Sequence, residues 1–290
     1  MPELPEVETI RRIIEPQLAG QTILHVTINN PQIVAYPEAE AFEKLLTGQM
    51  VKGISRRGKF LTVHFESGDR MTLHLRMTGQ LLVTPSDYPV EKHTHLVAEL
   101  SGGRQIRYVD VRRFGRFWYL KACEPDVVTG REQLGLEPLD DALTADYLKI
   151  RLGGRRKAIK EMLHDQSIVA GIGNIYSDEV LFAAGIYPGT KCDALSDADW
   201  QCLAIKYRQL FYGVLRRTKR HQKNTSRARA RNTEILPFCG FTAVPDGHAR
   251  RADKRSRRQQ SAAERVVIVP TVREIHCDRN RNPRKTDHRL

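Results

Sequence analysis

The spacing of apolar residues changes three times along this chain, and those changes confine it to a small set of folds. Residues 3–19 carry Leu4, Val7, Ile10, Ile14 and Leu18 at helical spacing, and Gly20 ends the run. Pro2 and Pro5 fall at its start, where a missing N–H costs little. From residue 22 to about 120 the period is two, clearest in 22–28, 60–65, 71–75, 95–100 and 105–109, with Gly, Asp and Ser turns between. Residues 39–46 read as a helix inside that region. Helical spacing returns over 125–215, with helices predicted at 144–152, 158–164, 175–184 and 196–215. Beyond Arg216 no period remains, and apolar islands persist only at 235–244 and 266–269. The pattern predicts an α+β chain: a helix plus two-sheet β-sandwich over 1–124, an all-α domain over 125–215, and an irregular tail over 216–290.

A chain of 290 residues is long enough for two cores. No stretch approaches the apolar length of a membrane span, and the first thirty residues are too charged for a secretory signal, so a cytoplasmic location is expected. Cys123, Cys192, Cys202, Cys239 and Cys277 lie far apart with no C-x-x-C pair, which predicts reduced thiols and neither a disulfide framework nor a zinc site. A net charge of +13 would ordinarily point to a polyanion. Its distribution argues otherwise: residues 216–290 hold 21 Lys+Arg against 7 Asp+Glu, while residues 1–215 hold 26 against 27. The charge is a property of the tail and says nothing about the rest.

The N-terminus reads Met-Pro-Glu-Leu-Pro-Glu-Val-Glu. Removal of Met1 would leave Pro2 with a free secondary amine. An α-amine titrates near 8, about two units below a lysine, and a helix N-terminus lowers it further. Such an amine can attack a sugar C1′ and form an iminium ion, an electron sink for strand cleavage. Glu3 beside it can deliver a proton to the sugar ring oxygen. Taken alone, the same residues also make an ordinary helix start.

Further motifs follow in order: Arg56-Arg57-Gly58-Lys59-Phe60, His74-Leu75-Arg76-Met77-Thr78-Gly79 and Asp110-Val111-Arg112-Arg113-Phe114-Gly115. Leu134-Gly135-Leu136-Glu137-Pro138-Leu139 and Ala170-Gly171-Ile172-Gly173-Asn174-Ile175-Tyr176 complete the set. With the N-terminus, this series resembles the formamidopyrimidine-DNA glycosylases over about residues 1–215. The resemblance implies a helix–two-turn–helix second domain and a bifunctional glycosylase and apurinic/apyrimidinic lyase. Its partner would be damaged double-stranded DNA, its state a monomer, and its chemistry free of redox or nucleotide cofactors.

The same resemblance assigns expected roles. Pro2 is the nucleophile, Glu3 the proton donor, and Lys59 assists β-elimination and contacts phosphate. Met77, Arg112 and Phe114 fill the gap left by an extruded nucleotide, with Arg112 on the orphaned base. Met77 also shares a parity with Met71, Leu73 and Leu75, which would face it to the core. Val111 stands where family members often have proline. Two glycines before the helix predicted from Ile175 suit an anion, and Asn174 either caps that helix or donates to phosphate. Arg155 and Lys160 resemble backbone-contacting positions, and His74 and His93 two further DNA contacts. Oxidised purines such as 8-oxoguanine and formamidopyrimidines are the expected lesions. An endonuclease VIII-like preference for oxidised pyrimidines is the alternative, and a non-catalytic nucleic-acid binder is another, since helix–two-turn–helix modules also occur in ribosomal proteins. A product inactivated by an altered C-terminus is a third.

Family members end in a four-cysteine structural zinc finger that residues 216–290 do not spell. Back-translation with codons built from the last base of one residue and the first two of the next recovers its pattern. His248/Ala249 and Arg251/Ala252 permit cysteine, and Ala252/Asp253 permits glycine. Ile268/Val269, Val269/Pro270, Thr271/Val272 and Val272/Arg273 permit Cys, Pro, Cys and Gln. We therefore expect a tail read out of frame from a junction between about Arg216 and Asn232, binding no zinc and lacking a packed core. A disordered basic tail gripping phosphates is the plainer reading, and the coding DNA decides between them.

Overall fold

A computed structural model describes the backbone of residues 1–231 and the side chains of residues 1–216. Helix α1 (Leu4–Leu18) opens with Pro5 in its first turn, and the Glu3 N–H donates to the Glu6 carboxylate at 2.9 Å. Its apolar stripe divides between two cores. Val7, Ile14 and Leu18 pack into the sandwich, whereas Leu4 packs into the helical domain. The first helix thus belongs to both domains.

The strands are β1 (Ile23–Ile28), β2 (Val34–Tyr36), β3 (Val51–Arg57), β4 (Phe60–Phe65) and β5 (Arg70–His74), then β6 (Gln80–Pro85), β7 (Thr94–Leu100), β8 (Arg104–Val109) and β9 (Arg116–Leu120). One sheet runs β1-β7-β8-β6 and the other β2-β9-β5-β4-β3, all antiparallel except β2 with β9. Leu61 pairs with Leu73, which pairs in turn with Phe117, and these inner-face residues join Val83, Leu96 and Ile106 of the other sheet in one core. Helix α2 (Ala39–Leu46) closes one end, with the Phe42 ring edge-on to Phe117 and Tyr119. The predicted two-sheet sandwich is the fold observed.

The second domain comprises α3 (Ala145–Leu152), α4 (Ile159–Leu163), α5 (Asn174–Ala184) and α6 (Asp197–Arg231) around Trp200, Tyr207 and Phe211. Two departures from expectation occur here. Helix α5 begins at Asn174 with Gly173 at its N-cap, so Asn174 is not the capping residue. Helix α6 runs to Arg231 rather than ending at Leu215. The extra turns carry no apolar stripe, so no helical period marks them, but they are rich in Arg and Lys, which favour helix unaided.

Residues 232–290 lie outside the described residues, and with them the two apolar islands, Cys239, Cys277 and every codon pair of the shifted-frame reading. Among the described residues no helix is long and apolar enough to cross a membrane.

Candidate active site and DNA-facing surface

The hairpin joining β3 to β4 turns at Gly58 and Lys59, and it points this lysine toward the seam between the domains. Arg56 fixes the turn: its guanidinium meets both oxygens of Glu137 at 2.7 Å, and the Gly58 N–H donates to the same carboxylate at 2.7 Å. Arg57 adds bonds to the carbonyls of Leu134 and Gly135, so the hairpin is bolted to the second domain.

Glu3 reaches the same place from the other side. Its buried carboxylate accepts from the N–H groups of Gly173 at 2.7 Å, Ile175 at 2.9 Å and Tyr176 at 3.3 Å. The residue that precedes α1 therefore caps α5 with its side chain, in the position where a helix N-terminus favours an anion. A methyl group placed on Gly173 would lie 2.6 Å from Glu3 Oε1 and 3.0 Å from Lys59 Nζ. Only glycine lets the carboxylate and the ammonium converge on that wall. Pro2 is half-buried beside Glu3, and Met1 beyond it is exposed.

Electrostatics at this point favour mobile protons. Burial pushes the Lys59 ammonium below its ordinary value, with Arg76 adding to the effect and Glu3 and Glu6 opposing it. Burial likewise raises the Glu6 carboxyl, although the Tyr176 hydroxyl donates to it at 2.8 Å. His164 on α4 is lowered by burial, Lys160 and Lys59, against Glu3 and Asp178. Its Nε2 lies 2.9 Å from Ser177 Oγ, which donates onward to the Asn174 carbonyl. The Glu6–Tyr176, Arg56–Glu137 and His164–Ser177 pairs were not anticipated from sequence. Only the three-residue step from Glu3 to Glu6 offered a local signal.

His74 ends β5 and is buried, with its ring edge-on to Phe60 at 4.7 Å. Burial, helped by Arg76 and Lys59, holds its pKa down to about 3, so the ring is neutral. Nδ1 accepts from the Arg76 N–H at 2.9 Å, which leaves the proton on Nε2 as a donor. Met77 departs from the parity of Met71, Leu73 and Leu75: those three are buried, while Met77 is exposed on the loop beyond β5. Arg112 Nη1 lies 3.1 Å from Met77 Sδ, and its guanidinium sits 5.2 Å from the centre of the exposed Phe114 ring. The three residues form one protruding cluster.

The remaining positions are dispersed. The carbonyl of His93 accepts from the Asp110 N–H at 3.1 Å. Asn174 is exposed at the start of α5, next to the atoms that hold Glu3. Lys160 pairs with Asp178 at 2.8 Å, and Arg155 is exposed with its Nε on the Arg151 carbonyl. Among the described residues no group of three or more His, Cys, Asp or Glu side chains is placed to hold a metal ion. The stretch in which the family pattern would place a zinc finger lies outside the described residues.

The Formamidopyrimidine-DNA glycosylase N-terminal domain matches residues 1–117, and the Formamidopyrimidine-DNA glycosylase H2TH domain matches residues 134–227. The chain belongs to this family. The Formamidopyrimidine-DNA glycosylase of Moorella thermoacetica is 43% identical over 248 residues, spanning 84% of this chain and 90% of that protein. The Bacillus subtilis protein of the same name is 44% identical over 198 residues, 68% of this chain and 71% of that one. Lactococcus lactis FPG, solved in complex with FAPY-dG-containing DNA, superposes with a TM-score of 0.70 at 34% identity, covering 74% of this chain and 80% of that one. The same L. lactis protein has been solved with oxidized-pyrimidine-containing DNA, again with a TM-score of 0.70 at 34% identity and 74% and 80% coverage.

Proposed function

We propose that this chain is a base-excision-repair enzyme that removes oxidised purines, 8-oxoguanine and formamidopyrimidines among them, from duplex DNA and nicks the resulting abasic site. The observation that carries the reading is the meeting of Glu3 and Lys59 at Gly173, one residue from the proline whose amine is released when Met1 is removed. The Pro2 nitrogen attacks C1′, and the bond from C1′ to the base breaks. Glu3 protonates the ring oxygen as the sugar opens, giving a C1′ iminium. Water takes a C2′ proton, and the electrons of that C–H bond expel the 3′ phosphate, which accepts the proton of Lys59. A second water hydrolyses the iminium to release Pro2. Lys59, buried and made more acidic than an ordinary lysine, gives up its proton during the elimination.

The Met77, Arg112 and Phe114 cluster fills the space of the extruded nucleotide. His74, His93, Arg155, Lys160 and Asn174 hold the backbone around it. Oxidised pyrimidines are a second substrate class, since the L. lactis relative is seen with such DNA. A cytoplasmic location suits all of this.

Borohydride reduction of the full chain with an abasic-site oligonucleotide tests the assignment. Wild type should give a covalent protein–DNA adduct, and Pro2→Gly should lower its yield severely. A correctly folded wild type that traps no better than Pro2→Gly would overturn the nucleophile. Binding without trapping would favour the non-catalytic reading, or loss of activity through the altered tail.

A further inference from the structure

Three non-glycine residues have positive φ among the described residues: Arg76 at 55°, His93 at 71° and Arg113 at 59°. Each lies in a loop proposed to face DNA, two of them beside Met77 and Arg112. Side chains held in that region are strained, and such strain persists only where the surroundings over-determine it. The surroundings here centre on one carboxylate.

Asp110 is fully buried at the end of β8. Its Oδ1 accepts from the Thr78 hydroxyl, on the Met77 loop, and from the Arg112 N–H at 3.1 Å, on the other loop. Its Oδ2 accepts from the Gly115 N–H at 2.9 Å and the Tyr108 hydroxyl at 2.9 Å. The backbone is tied as well: the Asp110 carbonyl lies 2.7 Å from His95 Nε2, and its N–H donates to His93 at 3.1 Å. Tyr108 occupies a slot between the ends of the two loops. A methyl on Gly79 would come within 2.5 Å of its hydroxyl, and one on Gly115 within 1.6 Å. Burial works against a charge on Asp110, yet its four donors outweigh that and hold the carboxyl below its usual range.

We infer that Asp110, clasped by Tyr108, is a positioning residue that locks the Met77 loop and the Arg112–Phe114 loop into one wedge and thereby sets how excision depends on the base opposite the lesion. The inference rests on the proposed function for its consequence, but the lock itself is a property of the free protein. Both side chains are fully buried, so neither presents a surface to DNA. Without the carboxylate, Met77 and Arg112 remain present but no longer move as one body, so the orphaned base is read by a loose contact. An asparagine in its place keeps the shape but offers one acceptor atom to four donors, and one pair goes unsatisfied.

Hydrogen exchange on the full chain, wild type against Asp110→Asn, tests the lock without DNA. Amides of 76–79 and 111–115 should lose protection together, by about ten-fold or more, while β5 and β8 keep theirs. Loosening of 111–115 alone, or of neither segment, overturns the coupling. The functional arm compares excision of 8-oxoguanine opposite cytosine and adenine in duplex with borohydride trapping at an abasic site in a single strand, which needs no wedge. Asp110→Asn should lose duplex excision by about ten-fold and most of its opposite-base preference, with trapping within about two-fold of wild type. Equal loss of both activities would mean a general structural role and overturn the inference. Tyr108→Phe, which keeps the ring and removes one donor, should show the same pattern more weakly, and it replaces Asp110→Asn should that variant not fold. A wild type that neither excises nor traps counts against the proposed function, while the exchange result still decides the lock.

Discussion

Arg56 and Glu137 face each other as a two-pronged fork, both contacts at 2.7 Å, across the seam between the sandwich and the helical domain. Arg56 is largely buried and also meets Glu8 at 3.2 Å, so removing Glu137 strands a guanidinium with half its partners. Such losses cost on the order of 3 kcal/mol in buried settings. Because the Gly58 N–H shares the same carboxylate, Glu137→Ala should also let the Lys59 turn drift. We expect urea denaturation to show the lost stability and the nicking rate to fall by more than about ten-fold at temperatures where the variant is folded. Wild-type nicking by a destabilised Glu137→Ala would separate the fork from Lys59.

Gly173→Ala gives a sharper test of the convergence at the α5 N-terminus. The added methyl would meet Glu3 at 2.6 Å and Lys59 at 3.0 Å, while Gly173 has an extended backbone that alanine adopts readily. The strain therefore falls on the two polar side chains. Trapping should drop by roughly 100-fold or more with little change in circular dichroism, since displaced catalytic groups lose rate steeply. Unimpaired trapping would show that the site tolerates Glu3 and Lys59 elsewhere.

Much of this architecture is legible in the sequence, and the gaps have physical causes. Helices α1 and α2 and strands β1, β4, β5, β7 and β8 announce themselves because their apolar residues recur at the period of the element, although β5 and β8 bury the polar residues in between as well. Strand β3 hides because its glycine, serine and charges blur the alternation, and β9 because its buried run of Phe117, Trp118, Tyr119 and Leu120 does not alternate at all. Pro2, Glu3 and Lys59 were visible only through the motifs around them. What capped α5 was not visible: Glu3 does so from 170 positions away, and no window sees that far. Asp110 shows in the sequence as part of a motif, but its place as the joint between two loops does not, for the same reason.

Acid should destabilise the protein chiefly through Glu8 and His74, with the depressed Asp110 carboxyl adding to the loss at the acid end. Glu8 is opposed by burial but bonded to Arg11 and flanked by Arg12 and Arg56, which hold its pKa at about 2 against an ordinary 4.5. A depressed carboxylate stabilises the fold above its unfolded pKa and loses that contribution as pH falls from 4.5 through about 2, at most about 3 kcal/mol in all. His74, neutral in the fold down to about pH 3, works in the same direction, because the unfolded chain takes up a proton near pH 6.5 that the folded chain refuses. Stability should thus decline from below pH 6.5, and more steeply below 4.5. Glu8→Gln should be less stable at pH 7 and lose the steeper part. A variant whose acid transition matches wild type would remove Glu8 from this account.

The last prediction concerns Lys160, which the proposed function puts on the DNA backbone but which the protein already pairs with Asp178 at 2.8 Å. Lys160 is about a quarter exposed and Asp178 about half, so water screens the pair and its net worth is small, about 1 kcal/mol or less. A phosphate can therefore replace Asp178 at little cost, and the carboxylate then becomes a nearby repulsive charge. Asp178→Asn removes both the competitor and the repulsion, so binding to an abasic-site duplex should tighten by a few-fold at low salt. Lys160→Ala should weaken binding and flatten the dependence of log affinity on log salt by about 0.9, the share of one phosphate contact. The two changes should not add, because Asp178→Asn acts through Lys160. If Lys160→Ala leaves the salt slope unchanged, this lysine serves the α4–α5 contact alone, and the anion-binding surface must be drawn without it.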